Sequence, residues 1–300
     1  MKRILLIGAN GQLGQCLRML FDRRKDFEYT AADLNSDSSK NIVALDITDG
    51  EAVRNMIDRG FNYIVNCAAY TAVDKAEDEP ELCRGINTTA LQYIGKAAYI
   101  TDARVIHIST DYVFSGDGHR PYTPEDPANP KSVYGLTKLA GEWELRNALE
   151  EEDYVIIRTA WLYSSIGNNF VKTMLRLGKE KDSIRVVSDQ IGSPTYAGDL
   201  AQAIVRIIDT PEFIPGIFHY TNEGVASWYD LAVAALELAG IRDCKVSPCS
   251  SEEYPAKASR PYYSLLSKEK IRATYGIEIP YWRDSLKRCI NILTDNGFTE

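Results

Sequence analysis

Tyr134 and Lys138, in the stretch SVYGLTKLAGE, carry the two side chains that a proton transfer at a carbonyl needs. They stand four residues apart, the spacing that puts both on one face of a helix. An ammonium beside a phenol favours the phenolate and draws its pKa down from about 10. Such a phenol can give up a proton as hydride arrives, or take one in reverse. A tyrosine at a helix start also serves as packing, and the pair alone arises by chance. Upstream, STDYVF sets the hydroxyls of Ser109 and Thr110 at the end of an apolar run, followed by Asp111 and Tyr112. A Thr110 hydroxyl there can orient the reacting carbonyl.

A second constellation opens the chain. GANGQLG places Gly8, Gly11 and Gly14 directly after the apolar run RILLI and at the start of an amphipathic stretch over residues 13–22. Glycines in that setting allow a tight turn and a close approach to a pyrophosphate, which then lies at the positive end of a helix. Asp33 ends the next apolar run, FEYTAAD, where a carboxylate can accept both ribose hydroxyls of NAD and would repel the 2′-phosphate of NADP. It can equally be a strand-end carboxylate facing water, and Lys40 beyond it could reach a phosphate. Asp46 and Ile47 could hold an adenine, by its amino group and its ring face. Ala68 and Ala69, in NCAAYTAVD, either let a cofactor lie on the backbone or pack a helix on a sheet.

These residues need a frame that brings strand ends together. Six runs read as strands: RILLIG, FEYTAAD, NIVALD, FNYIVNCAA, ARVIHIST and YVIIRTAWLY. Helical patterns separate them, so crossover connections and a parallel sheet follow. The runs are continuous in Val, Ile and Leu, as strands buried on both faces should be. In TDGEAVRNMIDRG, Thr48 and Glu51 stand at capping-box spacing. Residues 115–130 are rich in Pro and Gly and read as a loop, as does SPCSSEEYPAKASRP. His107 lies in an apolar run and reads as a strand residue.

The bulk properties exclude several classes. The 300 residues carry a net charge of -8, which repels nucleic-acid phosphates. No apolar run approaches the roughly 18 residues of a membrane span. The run Ile4 to Ile7 is too short for a secretion signal and leads into the glycine turn. The six cysteines are scattered without a CxxC pair, as expected of reduced thiols in a cytoplasmic protein.

With these residues in place the sequence resembles the extended short-chain dehydrogenase/reductases, and within them the dTDP-4-dehydrorhamnose reductases. The resemblance runs nearly end to end through GANGQLG, NCAAYTAVDKAE, STDYVFSG, YGLTKLAGE, RTAWLYS, DQIGSPTYAGDLA and RPYYSLL. It implies an α/β protein, a Rossmann-like doubly wound parallel sheet with a smaller C-terminal substrate-binding domain. Residues 1–163 would bind the nicotinamide cofactor, drawing also on parts of 185–220. Residues 164–300 would mainly bind the sugar nucleotide, interleaved with the first domain.

The reaction implied is NADH- or NADPH-dependent reduction of a dTDP-sugar 4-ketone to dTDP-L-rhamnose, with NADH weakly favoured on the Asp33 reading. Tyr134 would protonate the ketone oxygen and Thr110 would bind it. Lys138 would hold the nicotinamide ribose and lower the tyrosine pKa. Gly8, Gly11, Gln12, Leu13, Asp46, Ile47, Ala68, Ala69 and Thr71 match cofactor-contacting positions. Asp111, Tyr112 and Trp161 match the sugar pocket, although Trp161 could instead pack a core. Arg260, in RPYYS, suits a diphosphate, its planar fork pairing well with phosphate oxygens, or is a solvated surface residue.

One position departs from the family. Some members carry a glutamate two residues after the last glycine and have been associated with a Mg²⁺-linked dimer. Cys16 stands there, a poor ligand for a hard cation, so no metal is expected and either a monomer or a homodimer fits. Two other functions remain open: a non-catalytic nucleotide-binding regulatory subunit, and a reductase or epimerase of another nucleotide sugar. The joint presence of Thr110, Tyr134 and Lys138 favours catalysis.

Overall fold

Strand β1 (Lys2–Ile7) belongs to two cores at once. Ile4 and Leu6 point into one, and Leu5 and Ile7 into the other, because successive side chains of a strand face opposite ways. A strand covered on both sides needs an apolar run without alternation, and RILLI supplies it. The computed structural model describes residues 1–254, 256–295 and 297.

Six further strands join β1: β2 (Phe27–Asp33), β3 (Ile42–Ala44), β4 (Tyr63–Asn66), β5 (Arg104–Thr110), β6 (Tyr154–Thr159) and the later strand Gly216–His219. Their order across the sheet is Gly216–His219, β6, β5, β4, β1, β2, β3, and every pairing is parallel. Chain order reverses at β1, with β2 and β3 to one side and β4 to β6 to the other. The carboxyl ends of β1 and β4 therefore flank a crevice, where sheets of this kind bind ligands.

The helices are α1 (Gln12–Phe21), α2 (Gly50–Ile57), α3 (Val73–Ala76), α4 (Pro80–Arg84), α5 (Ala90–Thr101), α6 (Val133–Ala148), α7 (Phe170–Glu180), α8 (Ala197–Asp209), α9 (Trp228–Leu238), α10 (Glu269–Tyr275) and α11 (Trp282–Asp295). Leu13 and Leu17 of α1, with Leu200 and Ile204 of α8, cover one face of the sheet. Val53 of α2, Leu91 of α5 and Leu145 of α6 cover the other. Helices α7, α9 and α11 surround a separate core through Leu175, Leu231 and Leu286. Beside it Ser183–Val187 pairs in parallel with Lys245–Cys249. No described helix is long and apolar enough to cross a membrane, and all six cysteines are free.

Three local expectations are corrected. The cap of α2 is Asp49, whose carboxylate accepts from the Glu51 and Ala52 amides; the Thr48 hydroxyl donates to Asp46 instead. An aspartate one residue nearer the helix reaches those amides first. The sixth strand stops at Thr159, because Trp161 takes the left-handed backbone (φ +50°) and turns the chain. Leu162–Tyr163 then pairs with Thr195–Tyr196. Ser247, Pro248 and Cys249, read as loop, end a strand at the edge of its two-stranded pair, where a proline's missing N–H costs nothing.

Candidate active site

The glycine turn is shaped by close approaches. Gly8 has φ +79°, and a Cβ on it would lie 2.6 Å from the Ala68 amide nitrogen. A Cβ on Gly14 would lie 2.2 Å from the Gly8 carbonyl, so no other residue lets α1 start so near the turn. Gly11 caps α1 with no side-chain hydrogen bond, and the first turn holds no acidic residue. Its amides, from Gln12, Leu13 and Gly14, are therefore free of side-chain caps at the positive end of a ten-residue helix. These features fit a dinucleotide pyrophosphate.

Around the turn, Asp33 accepts from the Asn10 amide and the Leu34 amide, both at 2.9 Å. The Gln12 side-chain oxygen Oε1 accepts from Ser164 and Asn169, both at 2.9 Å, tying the turn to residues 164–169. Asp46 is exposed and accepts from Thr48, while Ile47 is buried beside it. Ala68 and Ala69 are half-buried at the end of β4, and Thr71 is exposed.

Ser132 caps α6 by accepting from the Gly135 amide, which puts Tyr134 in the first helical turn. Gly135 and Gly141 make that placement possible. A Cβ on Gly135 would lie 2.3 Å from the Tyr112 carbonyl, and one on Gly141 would lie 2.0 Å from that of Asn87. The buried Tyr134 ring meets Tyr112 edge-on at 5.4 Å. Burial raises the Tyr134 phenol above its ordinary range, and the Asp111 carboxylate adds to this; a hydrogen bond with Thr110 opposes it. The phenol is thus a retained proton close to the end of β5.

The Lys138 side chain is held from beneath by β5. Its Nζ donates to the Ile108 carbonyl at 2.6 Å and lies 3.2 Å from His107 Nε2. Strand β5 offers two partners directly beneath the helix, so the side chain turns down to them. Burial pushes its pKa down to about 8, against the pull of Glu142. Glu142, one turn further along α6, is buried, paired with Arg158 at 2.6 Å, and accepts from Ser109 at 2.5 Å. Tyr134, Lys138 and Glu142 form one inward stripe, and the last of these was not singled out from sequence.

Asp111 is 2% exposed. Thr110 donates to its Oδ1 at 3.0 Å, while Oδ2 has no hydrogen-bond partner among the described residues. The Ser264 hydroxyl, equally unpartnered, faces it. Burial pushes the Asp111 carboxyl up to about 7. Trp161 stacks on Trp228 with 3.8 Å between ring centroids, and the Trp228 N–H donates to Gln190 at 3.2 Å. Gly192 lets both Trp161 and Ser264 come close, since a Cβ on it would lie 3.1 Å from the indole and 2.7 Å from the hydroxyl. Gln190, Gly192, Trp228 and Ser264 were not singled out from sequence, although DQIGSPT and RPYYSLL contain three of the four. Arg260 is neither free nor simply solvated: it forms a bidentate pair with Asp74 of α3, at 2.6 and 3.1 Å.

The comparisons with known proteins agree with this geometry. Residues 1–295 match the family described as RmlD substrate binding domain. A dTDP-4-dehydrorhamnose reductase of Mycolicibacterium smegmatis is 41% identical over 291 residues, covering 96% of this chain and 85% of that protein. The crystal structure of a dTDP-4-dehydrorhamnose reductase from Clostridium acetobutylicum superposes with a TM-score of 0.90 at 43% identity, covering 97% of this chain and 99% of the other. That of a Bacillus anthracis dTDP-4-dehydrorhamnose reductase in complex with NADP gives 0.88 at 38% identity, with coverage of 97% and 99%. The chain belongs to the dTDP-4-dehydrorhamnose reductase family.

Proposed function

From that membership and the geometry of the crevice, we propose that the chain reduces the 4-keto group of dTDP-4-dehydro-L-rhamnose to give dTDP-L-rhamnose, for rhamnose-containing cell-surface polysaccharide. The observation that carries this is the meeting of Thr110 and Tyr134 at the carboxyl end of β5, with the unpartnered Asp111 oxygen beside them. When bound, a reduced nicotinamide supplies hydride to the ketone carbon. Tyr134 gives its proton to the ketone oxygen, so the carbonyl becomes an alcohol and the phenol a phenolate. A phenol raised by burial keeps its proton at neutral pH until the ketone oxygen takes it. Thr110 turns its hydroxyl from Asp111 to the reacting oxygen.

Gly8, Gly11, Gly14 and the first-turn amides of α1, with Gln12 and Leu13, would hold the dinucleotide. Asp33 would take its adenosine ribose, Asp46 and Ile47 its adenine, and Ala68, Ala69 and Thr71 the strand-end side of the crevice. Lys138 would hold the nicotinamide ribose. Asp111, Tyr112 and Trp161 would hold the sugar. Arg260 would reach a diphosphate only by leaving Asp74. Both NADH and NADPH would serve, NADH weakly favoured by the Asp33 carboxylate. Residues 1–163, with the strand Gly216–His219, form the nucleotide side of this reading.

The test is direct. dTDP-4-keto-6-deoxy-L-lyxo-hexose is supplied with NADH or NADPH, and the loss of reduced-nicotinamide absorbance is followed. The wild type should turn over, and Tyr134→Phe should lose about 10²–10⁴-fold in kcat. Absence of turnover with either cofactor would refute the reaction. Full activity in the variant would remove Tyr134 as the donor, and a strong NADPH preference would overturn the Asp33 reading.

A further inference from the structure

Beneath the crevice runs a buried polar chain that the proton transfer at Tyr134 leaves unused. Lys138 Nζ lies 3.2 Å from His107 Nε2, and His107 Nδ1 lies 3.2 Å from Asn66 Nδ2. Asn66 Oδ1 accepts from the Ala68 amide at 3.1 Å. Lys138 is 1% exposed, and His107 and Asn66 are fully buried.

One end of this chain is chemically unambiguous. The Ala68 backbone N–H can only donate, so the Asn66 atom facing it is the oxygen. The atom facing His107 is then the amide nitrogen, also a donor, and His107 Nδ1 must accept. Burial holds the His107 ring well below its ordinary pKa, with Lys138 pushing the same way, so the ring is neutral. A neutral imidazole whose Nδ1 accepts carries its proton on Nε2. That N–H faces Lys138 Nζ, and the contact is a hydrogen bond only where the lysine nitrogen offers a lone pair.

We propose that His107 is a positioning residue for Lys138: Asn66 fixes the ring as its Nε2–H tautomer, and the ring donates to the lysine amine and so governs how readily Lys138 holds its charge. The amine in turn donates to the Ile108 carbonyl. The chain is not a proton relay, since a carboxamide such as that of Asn66 does not give up its N–H protons near neutral pH. The other groups facing Nζ are Glu142 from α6, itself paired with Arg158, and the thiols of Cys67 after β4 and Cys83 of α4. Glu142 favours the ammonium, whereas burial and the Nε2–H donor favour the amine. The lysine thus loses its charge just above neutral pH, and a step that uses the ammonium weakens as pH rises.

The kinetic consequence rests on the reductase reading, but the tautomer does not. Long-range ¹H–¹⁵N correlation spectra of the wild-type protein near neutral pH read the buried rings without any substitution. His107 is expected as Nε2–H. His219 supplies an internal contrast, because its Nδ1 lies 3.1 Å from the Tyr122 carbonyl, which only accepts, and so carries the proton. Two buried rings that are both Nδ1–H would overturn the proposal whether or not the chain reduces a sugar.

The second measurement is the pH profile of kcat for reduction. Asn66→Asp still accepts from Ala68 but offers an oxygen to the ring, moving the ring proton to Nδ1 and making Nε2 an acceptor for the ammonium. Its alkaline limb should move to higher pH by about one unit or more. Asn66→Ala releases the ring without adding charge and should move the limb the same way by less. Limbs unmoved in both variants, with turnover retained, would overturn the proposal. Absent turnover in the wild type counts against the reductase reading alone, and the spectra then decide.

Discussion

The two sides of the crevice are built from different material. The side at β1 is mostly backbone: Gly8, Gly11 and Gly14 bring amides and a helix end to one point, and Asp33 is held by two further amides. The side beyond β5 is made of side chains from separate segments: Asp111 and Tyr112, then Trp161, Trp228 and Ser264. A backbone cradle recognises what all dinucleotides share. A set of side chains gathered from far along the chain is what can separate one sugar from another. The contrast implies that substitutions on the first side act through shape, and on the second through affinity for one ligand.

The largest expected effect is on the backbone side. In Gly14→Ala the new Cβ would meet the Gly8 carbonyl at 2.2 Å and Ala9 Cα at 2.8 Å, both part of the turn itself. The variant should lose about 1–3 kcal/mol or more of stability, as overpacked sites do. A lowered Tm and lost NADH binding, followed by nicotinamide fluorescence, would show it. Wild-type values for both would mean that the turn owes nothing to this close approach.

Asp111→Asn should do the reverse, sparing the cofactor and weakening the sugar. Losing a buried carboxyl proposed to bond the sugar should raise the sugar KM by about tenfold, with the NADH KM unchanged. The same residue gives a pH signature. Its carboxyl is raised from 3.8 to about 7 by burial, so between those values the folded state binds more protons than the unfolded one. Stability therefore falls as pH rises through that window. Tm measured from pH 4 to 7 should show a decline in the wild type that Asp111→Asn lacks. Parallel curves for the two proteins would place the titration elsewhere.

A smaller effect is expected from Trp228→Ala. Trp228 meets the site by stacking on Trp161, whose left-handed backbone stands just beyond β6, and by donating to Gln190. Aromatic pairs are worth about 0.5–1.5 kcal/mol beyond buried area, so the sugar KM should rise roughly two- to tenfold. A change in the cofactor KM instead would erase the division between the two sides.

This division also explains what the sequence disclosed. GxxGxxG is legible because its chemistry lies in a single short run, where removing side chains at fixed spacing is itself the signal. Continuous apolar runs gave the parallel sheet for the same local reason. Tyr134 and Thr110 were legible as types at strand and helix ends. The direction of Lys138 was not, since it depends on His107 and Ile108 thirty residues earlier and on a carbonyl that no sequence pattern marks. Arg260 was read as either a diphosphate ligand or a solvated surface residue, and its pairing with Asp74, which joins positions 186 residues apart, was not legible. Trp228 and Ser264 became visible only when α9 and the segment after Arg260 were placed beside Trp161 and Gly192.

The smallest expected effect, on the backbone side, is none. Cys16 lies on the inner face of α1, where burial and the Asp199 carboxylate push its thiol up to about 11. It is therefore a neutral thiol at physiological pH, and hard cations such as Mg²⁺ take oxygen ligands. Among the described residues no group of three or more His, Cys, Asp or Glu is gathered for a metal. Treatment with EDTA should leave kcat and both KM values unchanged. Cys16→Glu would put a carboxylate near Asp199 in a site 8% exposed, and should lower Tm without creating a Mg²⁺ requirement. If EDTA abolished activity and Mg²⁺ restored it, the backbone cradle would not suffice alone, and the cation's oxygen ligands would have to come from outside this turn.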